Sequence, residues 1–271
     1  MQIVGYKTTP GEGPAALRVA SEGRVERVPL LAGESLAYAL AERHCAGATE
    51  DGVGKTTESS SPAHRNTECS ADVHEACGNE DAPYCDDHTS TWPCARCVGN
   101  CAMPRESCHE EHAVYLAAFA PDTFKVGVTR SWRLDTRLRE QGADRAAHIR
   151  TVEDGKRARQ IEYGIAEEIA DRVRVPTKIR GFAERVDDDA WDALVAAYDP
   201  IERFDFDYGL AFDARPVAET MATGTVLGTK GRVLTLERGG TTYAVDMRDL
   251  VGYDVTEGAS ERDRQSSLGA F

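Results

Sequence analysis

The chain has 271 residues and a formal net charge of −14, from 46 acidic and 32 basic residues. This charge argues against strong nonspecific binding to DNA at moderate salt, although it leaves room for a local basic groove. No run of 18 apolar residues occurs, and the N-terminus lacks the basic start and apolar core of a signal peptide, so we expect no membrane span and a cytoplasmic protein.

Only six of the 32 basic residues are Lys, and the others are Arg. An acidic, Lys-poor composition is typical of halophilic archaeal proteins, whose charged surfaces stay hydrated in concentrated salt. The alternative is an ordinary acidic mesophilic protein. In several-molar salt the Debye length falls to about 3 Å or less, so a nucleic-acid site would depend on stacking and hydrogen bonds.

The predicted elements divide the chain into five segments. Residues 1–43 contain short apolar runs separated by Gly-rich turns, which predict an antiparallel β segment. Residues 44–112 are rich in Cys, His and small polar residues and have too few large aliphatic residues to order themselves, so they form either a loop or a segment whose folding energy comes from metal. Residues 113–200 predict strand, strand, helix, strand and helix, and then a further helix. Residues 201–256 return to β structure, and residues 257–271 form a polar tail.

The predicted fold class is therefore α+β, with a small sheet flanked by helices between β-rich ends. We expect the two β-rich ends to pair with each other in one small barrel or sandwich. Ser131 is the expected N-cap of the first helix, which Gly142 ends, and Asp154 is the expected N-cap of the second helix.

Cysteine is confined to one segment, since all eight Cys lie between Cys45 and Cys108. Without a signal peptide, this clustering indicates metal ligation rather than a disulfide framework. The sulfur and imidazole ligands favour zinc, in one or two structural sites. The candidate zinc ligands are Cys45, Cys69, Cys77, Cys85, His88, Cys94, Cys97, Cys101 and Cys108. Free thiols, a redox pair or an iron–sulfur cluster are the alternatives, and the grouping of the ligands stays open.

Four polar residues within 113–200 form a candidate reaction centre. Tyr115 and Lys125 lie on adjacent predicted strands, Arg137 on the first helix, and Glu162 beside the apolar stripe of the second. On one face they would suit phosphodiester cleavage, with Mg²⁺ or Mn²⁺ on Glu162, the phosphate on Lys125 and Arg137, and Tyr115 as base or nucleophile-orienting group. The alternative is structural: a core Tyr115, an Arg137–Glu162 salt bridge and a solvated Lys125.

The same stretch resembles the GIY-YIG nuclease superfamily. The motifs that carry the resemblance are Val114-Tyr115-Leu116, Lys125-Val126-Gly127-Val128-Thr129, Arg137-Leu138 with Gln141, and Glu162. Two further stretches are similar to a Cys-rich, zinc-binding branch of that superfamily: His112-Ala113-Val114-Tyr115-Leu116-Ala117 after the Cys-rich segment, and Gly228-Thr229-Lys230-Gly231. Lys125 stands where many members carry Tyr, and Gln141 stands where many carry His.

The resemblance implies a GIY-YIG-like sheet with Tyr115, Arg137 and Glu162 at active-site positions, and Glu162 as the ligand of a divalent ion. We therefore expect a metal-dependent nuclease that acts on DNA or RNA and contains structural zinc. The alternatives are a noncatalytic, zinc-containing nucleic-acid-binding protein on the same scaffold, or a zinc-stabilised adaptor that binds a protein partner.

Overall fold

The computed structural model of the protein describes residues 1–8, 13–49, 73–89, 97–101 and 106–258. The candidate zinc ligands Cys69 and Cys94 lie outside these residues, as does the polar tail from residue 259 onward.

The described residues form a strand-rich chain with short helices, which confirms the predicted mixture of α and β structure. The elements up to the first α-helix are β1 (Gln2–Lys7), β2 (Ala16–Ser21), β3 (Arg24–Pro29), β4 (Ser35–Arg43), β5 (Ala48–Thr49), β6 (His74–Glu75), β7 (His112–Phe119), β8 (Thr123–Arg130) and α1 (Leu134–Gln141). The later elements are β9 (Arg145–Val152), α2 (Gly155–Ile165), α3 (Val175–Arg180), α4 (Asp188–Ala196), β10 (Glu202–Asp205), β11 (Val217–Ala218), β12 (Ala222–Lys230), β13 (Val233–Arg238), β14 (Thr241–Asp246), α5 (Met247–Leu250) and β15 (Tyr253–Glu257). Within the described ranges, no helix is long and apolar enough to cross a membrane.

The two ends of the chain share one nine-stranded sheet, in the order β11-β14-β13-β12-β4-β15-β1-β2-β3. Strand β4 lies between the C-terminal strands β12 and β15, and β1 pairs antiparallel with β15. Alternate side chains of these strands, including Ile3, Leu17, Leu36 and Leu234, pack into one buried cluster. The predicted pairing of the β-rich ends is thus observed, and the strands before residue 44 and after residue 216 form a single unit.

A second, four-stranded sheet has the order β10-β9-β7-β8 and is covered on both faces. Strand β7 is central, so its side chains alternate between two buried layers. Val114 and Leu116 pack toward Trp191 of α4 and Ala158 of α2. Tyr115 packs on the opposite face, toward α1. The strands and helices predicted for residues 113–200 are therefore observed in that order, with one unpredicted short helix, α3, before α4. β10, which was predicted to belong to the C-terminal β segment, extends this sheet by one strand.

The first helix begins later than predicted. Ser131 opens a 3-10 turn, Ser131–Arg133, and α1 follows from Leu134 with no side-chain cap. The Ser131 N–H donates to the Glu111 carbonyl at 3.0 Å, which continues the hydrogen bonding of the strand and holds this residue outside the helix. The other two predictions are confirmed: Gly142 ends α1 with φ +68°, and the Asp154 carboxylate accepts the Arg157 N–H at 2.7 Å.

The two sheets meet where α1 ends against the turn between β12 and β13. A Cβ added to Gly231 would lie 2.6 Å from the Gly142 nitrogen, so the two backbones touch. The Lys230 ammonium pairs with the Asp144 carboxylate beside this contact. Asp144 also accepts the Ala120 N–H at 3.0 Å, so one carboxylate links both sheets. This contact gives the sequence Gly228-Thr229-Lys230-Gly231 a structural role in docking the sheets.

Candidate functional site

Three cysteines and one histidine form a candidate metal centre. The ligand atoms of Cys45, Cys77, Cys85 and His88 all lie within 4.8 Å of one another. The Sγ atoms of Cys45 and Cys85 are 3.6 Å apart, and those of Cys77 and Cys85 are 4.0 Å apart. His88 Nδ1 lies 3.2 Å from Cys85 Sγ. These separations suit a four-coordinate ion such as zinc, whose bonds to sulfur and nitrogen are about 2.0–2.3 Å long.

Short backbone contacts bring the four ligands together. Cys45 follows β4 after one intervening residue, His44, and the pairing of β5 with β6 returns the chain so that Cys77 lies beside Cys45. Two N–H groups, of Gly47 and Cys85, point at the Cys45 sulfur at 3.4 and 3.3 Å. Burial opposes ionisation of the Cys85 thiol, but hydrogen bonding from His88 outweighs it and lowers the pKa of Cys85 to about 7. The site is closed by four protein ligands, which is the pattern of a structural metal site.

The remaining predicted zinc ligands do not join this centre. Cys97, Cys101 and Cys108 lie together along the wall of a separate cavity. Among the described residues, only the Cys45–His88 group has metal-ligand spacing. The structure therefore assigns four of the nine candidate ligands to one site and places three elsewhere, while Cys69 and Cys94 lie outside the described residues.

That separate cavity, of about 1000 Å³, brings together the four residues of the candidate reaction centre. Tyr115 from β7, Lys125 from β8, Arg137 from α1 and Glu162 from α2 all line it. β7 and β8 are paired and β8 is the edge strand, so α1 on one face of the sheet and α2 on the other both reach the cavity at this edge. We call this space the basic cavity, for the charge described below.

Tyr115 is packed as a core residue but ends in the cavity. The residue is 1% exposed, and its ring lies across Gly127, its cross-strand partner. A Cβ at Gly127 would come within 2.5 Å of the phenol oxygen, so this position requires glycine. The Gln141 side-chain amide donates to the phenol oxygen, and burial raises the pKa of Tyr115. The hydroxyl is therefore neutral near pH 7. Because it accepts the hydrogen bond from Gln141, it can still donate its own proton to a ligand in the cavity.

Arg137 and Glu162 each pair with a neighbour on their own helix. Arg137 pairs with Glu140 at 3.2 Å, and Glu162 pairs with Arg159 at 2.6 Å, so the predicted Arg137–Glu162 salt bridge is replaced by two local pairs. Lys125 is half-buried rather than solvated. Burial, together with the nearby charge of Arg137, lowers the pKa of Lys125 to about 8.

The cavity concentrates positive charge in an acidic protein. Among the described residues that line it, ten are Lys or Arg and two, Glu162 and Asp171, are acidic. Besides Lys125 and Arg137, the basic residues include Arg130, Arg133, Lys156, Arg159, Arg174 and Lys178. A cation-lined concave surface focuses the potential and attracts anions, phosphate groups among them.

Lys178 is the residue that the sequence analysis missed at this site. Its ammonium donates to the Gln141 carbonyl at 2.6 Å and lies 4.3 Å from the centre of the Phe119 ring. Burial and the surrounding cations, Lys125 first among them, lower the pKa of Lys178 to about 7. No local motif marks Lys178, because it reaches the cavity from α3, which follows the recognisable stretch in the chain.

Comparison with known proteins gives one finding. No curated protein and no solved structure matches the chain. A family model matches residues 33–208, more than half of the chain, and this range contains the metal ligands and the four residues of the candidate reaction centre. The chain therefore belongs to the family described as protein of unknown function DUF2797.

Proposed function

We propose that this protein is a metal-dependent nuclease of the GIY-YIG type, which hydrolyses phosphodiester bonds in DNA or RNA. The observation that carries the proposal is the convergence of Tyr115, Lys125, Arg137 and Glu162 on one cavity. Ten basic side chains line that cavity, so its charge is opposite in sign to the net charge of −14 of the whole chain. In this proposal the ion held by Cys45, Cys77, Cys85 and His88 is zinc, with a structural role.

Each residue of the cavity has a role that its surroundings support. Arg137 and Lys125 hold the phosphate, and Arg137 stabilises the charge that develops on it. Tyr115 orients the nucleophile through its hydroxyl proton, because its raised pKa opposes a role as base. Glu162 would hold Mg²⁺ or Mn²⁺, since such ions are bound through one or two carboxylates and the substrate phosphate. When bound, the ion supplies Lewis-acid stabilisation and a more acidic water.

One contact favours a second candidate, a nucleic-acid-binding protein that does not cut. The Arg159 guanidinium lies 2.6 Å from Glu162 Oε2, so an internal cation already neutralises the carboxylate. If that pair persists when nucleic acid is bound, Glu162 stays closed to a metal ion, and the cavity binds without hydrolysis.

Replacing Glu162 separates the two candidates. Glu162→Gln and wild-type protein are incubated with labelled single-stranded, double-stranded and structured DNA and RNA, in high salt with Mg²⁺ or Mn²⁺. We expect the wild type to cleave at least one substrate, and the variant to be slower by about 100-fold or more, the size of losing one contact to transition-state charge. Glu167→Gln removes the same charge from an exposed position just beyond α2 and keeps wild-type activity.

Equal cleavage by wild-type and Glu162→Gln protein would indicate a contaminant and end the nuclease proposal. Binding by both proteins with cleavage by neither would establish the second candidate instead.

A further inference from the structure

A second cavity, of about 550 Å³, adjoins the basic cavity at the junction of the two sheets. The two spaces share Arg137, Gln141, Arg174 and Lys178 in their linings. The far wall of the second cavity comes from the nine-stranded sheet and includes Tyr6, at the end of β1, and Arg232, in the turn before β13. A ligand bound at Arg137 can therefore continue past Lys178 toward the large sheet.

The wall shared by the two cavities carries three cations, Arg137, Arg174 and Lys178. The charges that act most strongly on the Lys178 ammonium are those of Lys125, Arg232, Arg137 and Lys230, which come from both sheets and α1. The ammonium donates to a neutral partner, the Gln141 carbonyl, so its charge is not compensated by that contact. Like charges gathered in a half-buried place are unfavourable, and an anion between them relieves the repulsion.

The second cavity also offers directed donors. Arg232 uses Nη2 to pair with Asp246 at 2.7 Å, which fixes the guanidinium at the wall. Arg174 immediately precedes α3, is exposed, and lines both cavities. Guanidinium groups bind phosphate through paired N–H donors, and Lys binds it as a point charge. Lys178, Arg174 and Arg232 line the same cavity as two carboxylates. These are Glu140 and Asp246, which pair with Arg137 and Arg232. Lys178 and Arg174 therefore supply the positive charge that these pairs leave for one phosphate group.

We propose that Lys178, Arg174 and Arg232 form a second phosphate subsite, which holds the phosphate next to the one at Arg137, so that the ligand is a polynucleotide strand of at least two consecutive phosphates. This inference rests on the proposed function for the identity of the ligand as nucleic acid. It assigns a role in substrate binding to the C-terminal strands, which contribute Arg232 and lie beyond residues 33–208 of the family match.

Binding of short labelled oligonucleotides tests the subsite. Affinities for oligonucleotides with one, two and four phosphates are measured by fluorescence anisotropy for the wild type, Lys178→Gln, Arg232→Gln and the control Arg203→Gln. Arg203 of β10 pairs with Asp192 of α4 and lines neither of the two cavities described here. EDTA is omitted so that the metal centre stays intact, and Glu162→Gln is the background for these binding measurements, to prevent cleavage.

We expect the step from one to two phosphates to raise the affinity of the control about tenfold, and each subsite variant to lose most of that gain. The subsite variants also show a salt dependence of binding that is smaller by about one counterion. Lys178→Arg, which keeps the charge, restores the gain, whereas a loss of affinity through misfolding would not be restored and would also lower the melting temperature.

An unchanged gain in Lys178→Gln and Arg232→Gln would overturn the subsite, whatever the cleavage assay shows. Conversely, loss of the gain in a protein that never cleaves would support the subsite and reject the nuclease. The two proposals can therefore fail independently.

Discussion

Burial and neighbouring charges together determine the pH range in which the Lys125 side chain is charged and can hold a phosphate. The pKa of Lys125 is lowered from 10.5 to about 8, first by burial and then by Arg137, while Glu162 acts in the opposite direction. The protonated form is thus disfavoured in the folded protein. Below about pH 8, Lys125 is charged in both the folded and the unfolded protein, and burial of this charge destabilises the fold by its full amount. This destabilisation decreases as the pH rises from 8 toward 10.5, where the unfolded chain also loses the proton.

This titration predicts a pH dependence of nucleic-acid binding. Affinity for a short oligonucleotide, measured for the wild type between pH 6 and 9.5 without added Mg²⁺ or Mn²⁺ to prevent cleavage, falls as the pH rises through about 8, because Lys125 loses its charge. Lys178, with a pKa of about 7, adds an earlier decrease. In Lys125→Arg the decrease near pH 8 disappears and the earlier one remains, since a guanidinium stays charged throughout. A curve for Lys125→Arg identical to that of the wild type would show that Lys125 does not contact the ligand.

The residues of the basic cavity differ in how far the sequence could reveal them. Tyr115, Lys125, Arg137 and Glu162 stand in recognisable motifs, and their convergence could be expected once the strand and helix order was known. The contact of Tyr115 with Gly127 follows from the register of β7 and β8, which places them opposite each other. Lys178 could not be found in this way, because its position depends on how α3 packs against α1 and Phe119.

At the scale of elements, one turn of the large sheet determines how the small sheet is placed. Gly231, between β12 and β13, has φ +57°, and its α-carbon faces the end of α1, where a Cβ would meet the Gly142 nitrogen and the Gln141 carbon at 2.6 and 2.8 Å. The same helix carries Arg137 and Gln141 into the basic cavity. A displacement of this turn would therefore move both residues.

A pair of glycine substitutions separates this close contact from backbone strain. Gly239 has nearly the same φ, +58°, but a Cβ there would meet nothing within 4 Å. Both Gly231→Ala and Gly239→Ala carry the cost of a left-handed alanine, about 1–2 kcal/mol. Gly231→Ala alone adds an overlap with α1, and we expect it to lose a further 1–3 kcal/mol or so, as overpacked sites do. Urea unfolding measures both, and equal losses would show that the sheets do not touch at this turn.

The elements themselves were largely predictable, and their exact starts were not. Short runs rich in apolar residues indicated β7, β8 and β9, and the Asp154 cap located α2. The N-cap of α1 is Arg133, two residues later than predicted, because Ser is a common N-cap residue and the sequence does not show that the Ser131 N–H is already bound to Glu111.

At the scale of the whole molecule, the metal centre connects the Cys-rich segment to the middle of the large sheet. Its first ligand, Cys45, follows β4, and the Gln2 side-chain amide of β1 donates to the Cys45 carbonyl at 3.3 Å. The surrounding segment offers few large apolar side chains, so a metal ion bound at this centre would supply much of its folding free energy. Pairing of the β-rich ends could be predicted from composition, whereas the grouping of the four ligands required the pairing of β5 with β6.

Removal of the metal ion is expected to lower the stability of the whole protein. Cys85→Ser should lose one bound zinc per chain by elemental analysis and melt well below the wild type, and chelation of wild-type protein should have the same effect. The control Asp87→Asn changes an exposed residue between the ligands Cys85 and His88, and keeps both the ion and the melting temperature. A metal-free wild-type protein, or a Cys85→Ser variant as stable as the control, would contradict a structural ion at this centre.

The position of β4 also has a consequence for the order of folding. This strand ends at Arg43, yet its neighbours β12 and β15 begin at Ala222 and Tyr253. During synthesis both edges of β4 remain without these partners until nearly all of the chain described here has emerged, whereas the small sheet and its helices are contiguous from His112 to Asp205. Contacts between such distant segments form slowly, because a long loop must close first. The small sheet is thus expected to assemble first during translation, with closure of the large sheet around β4 as the late step that completes the second cavity.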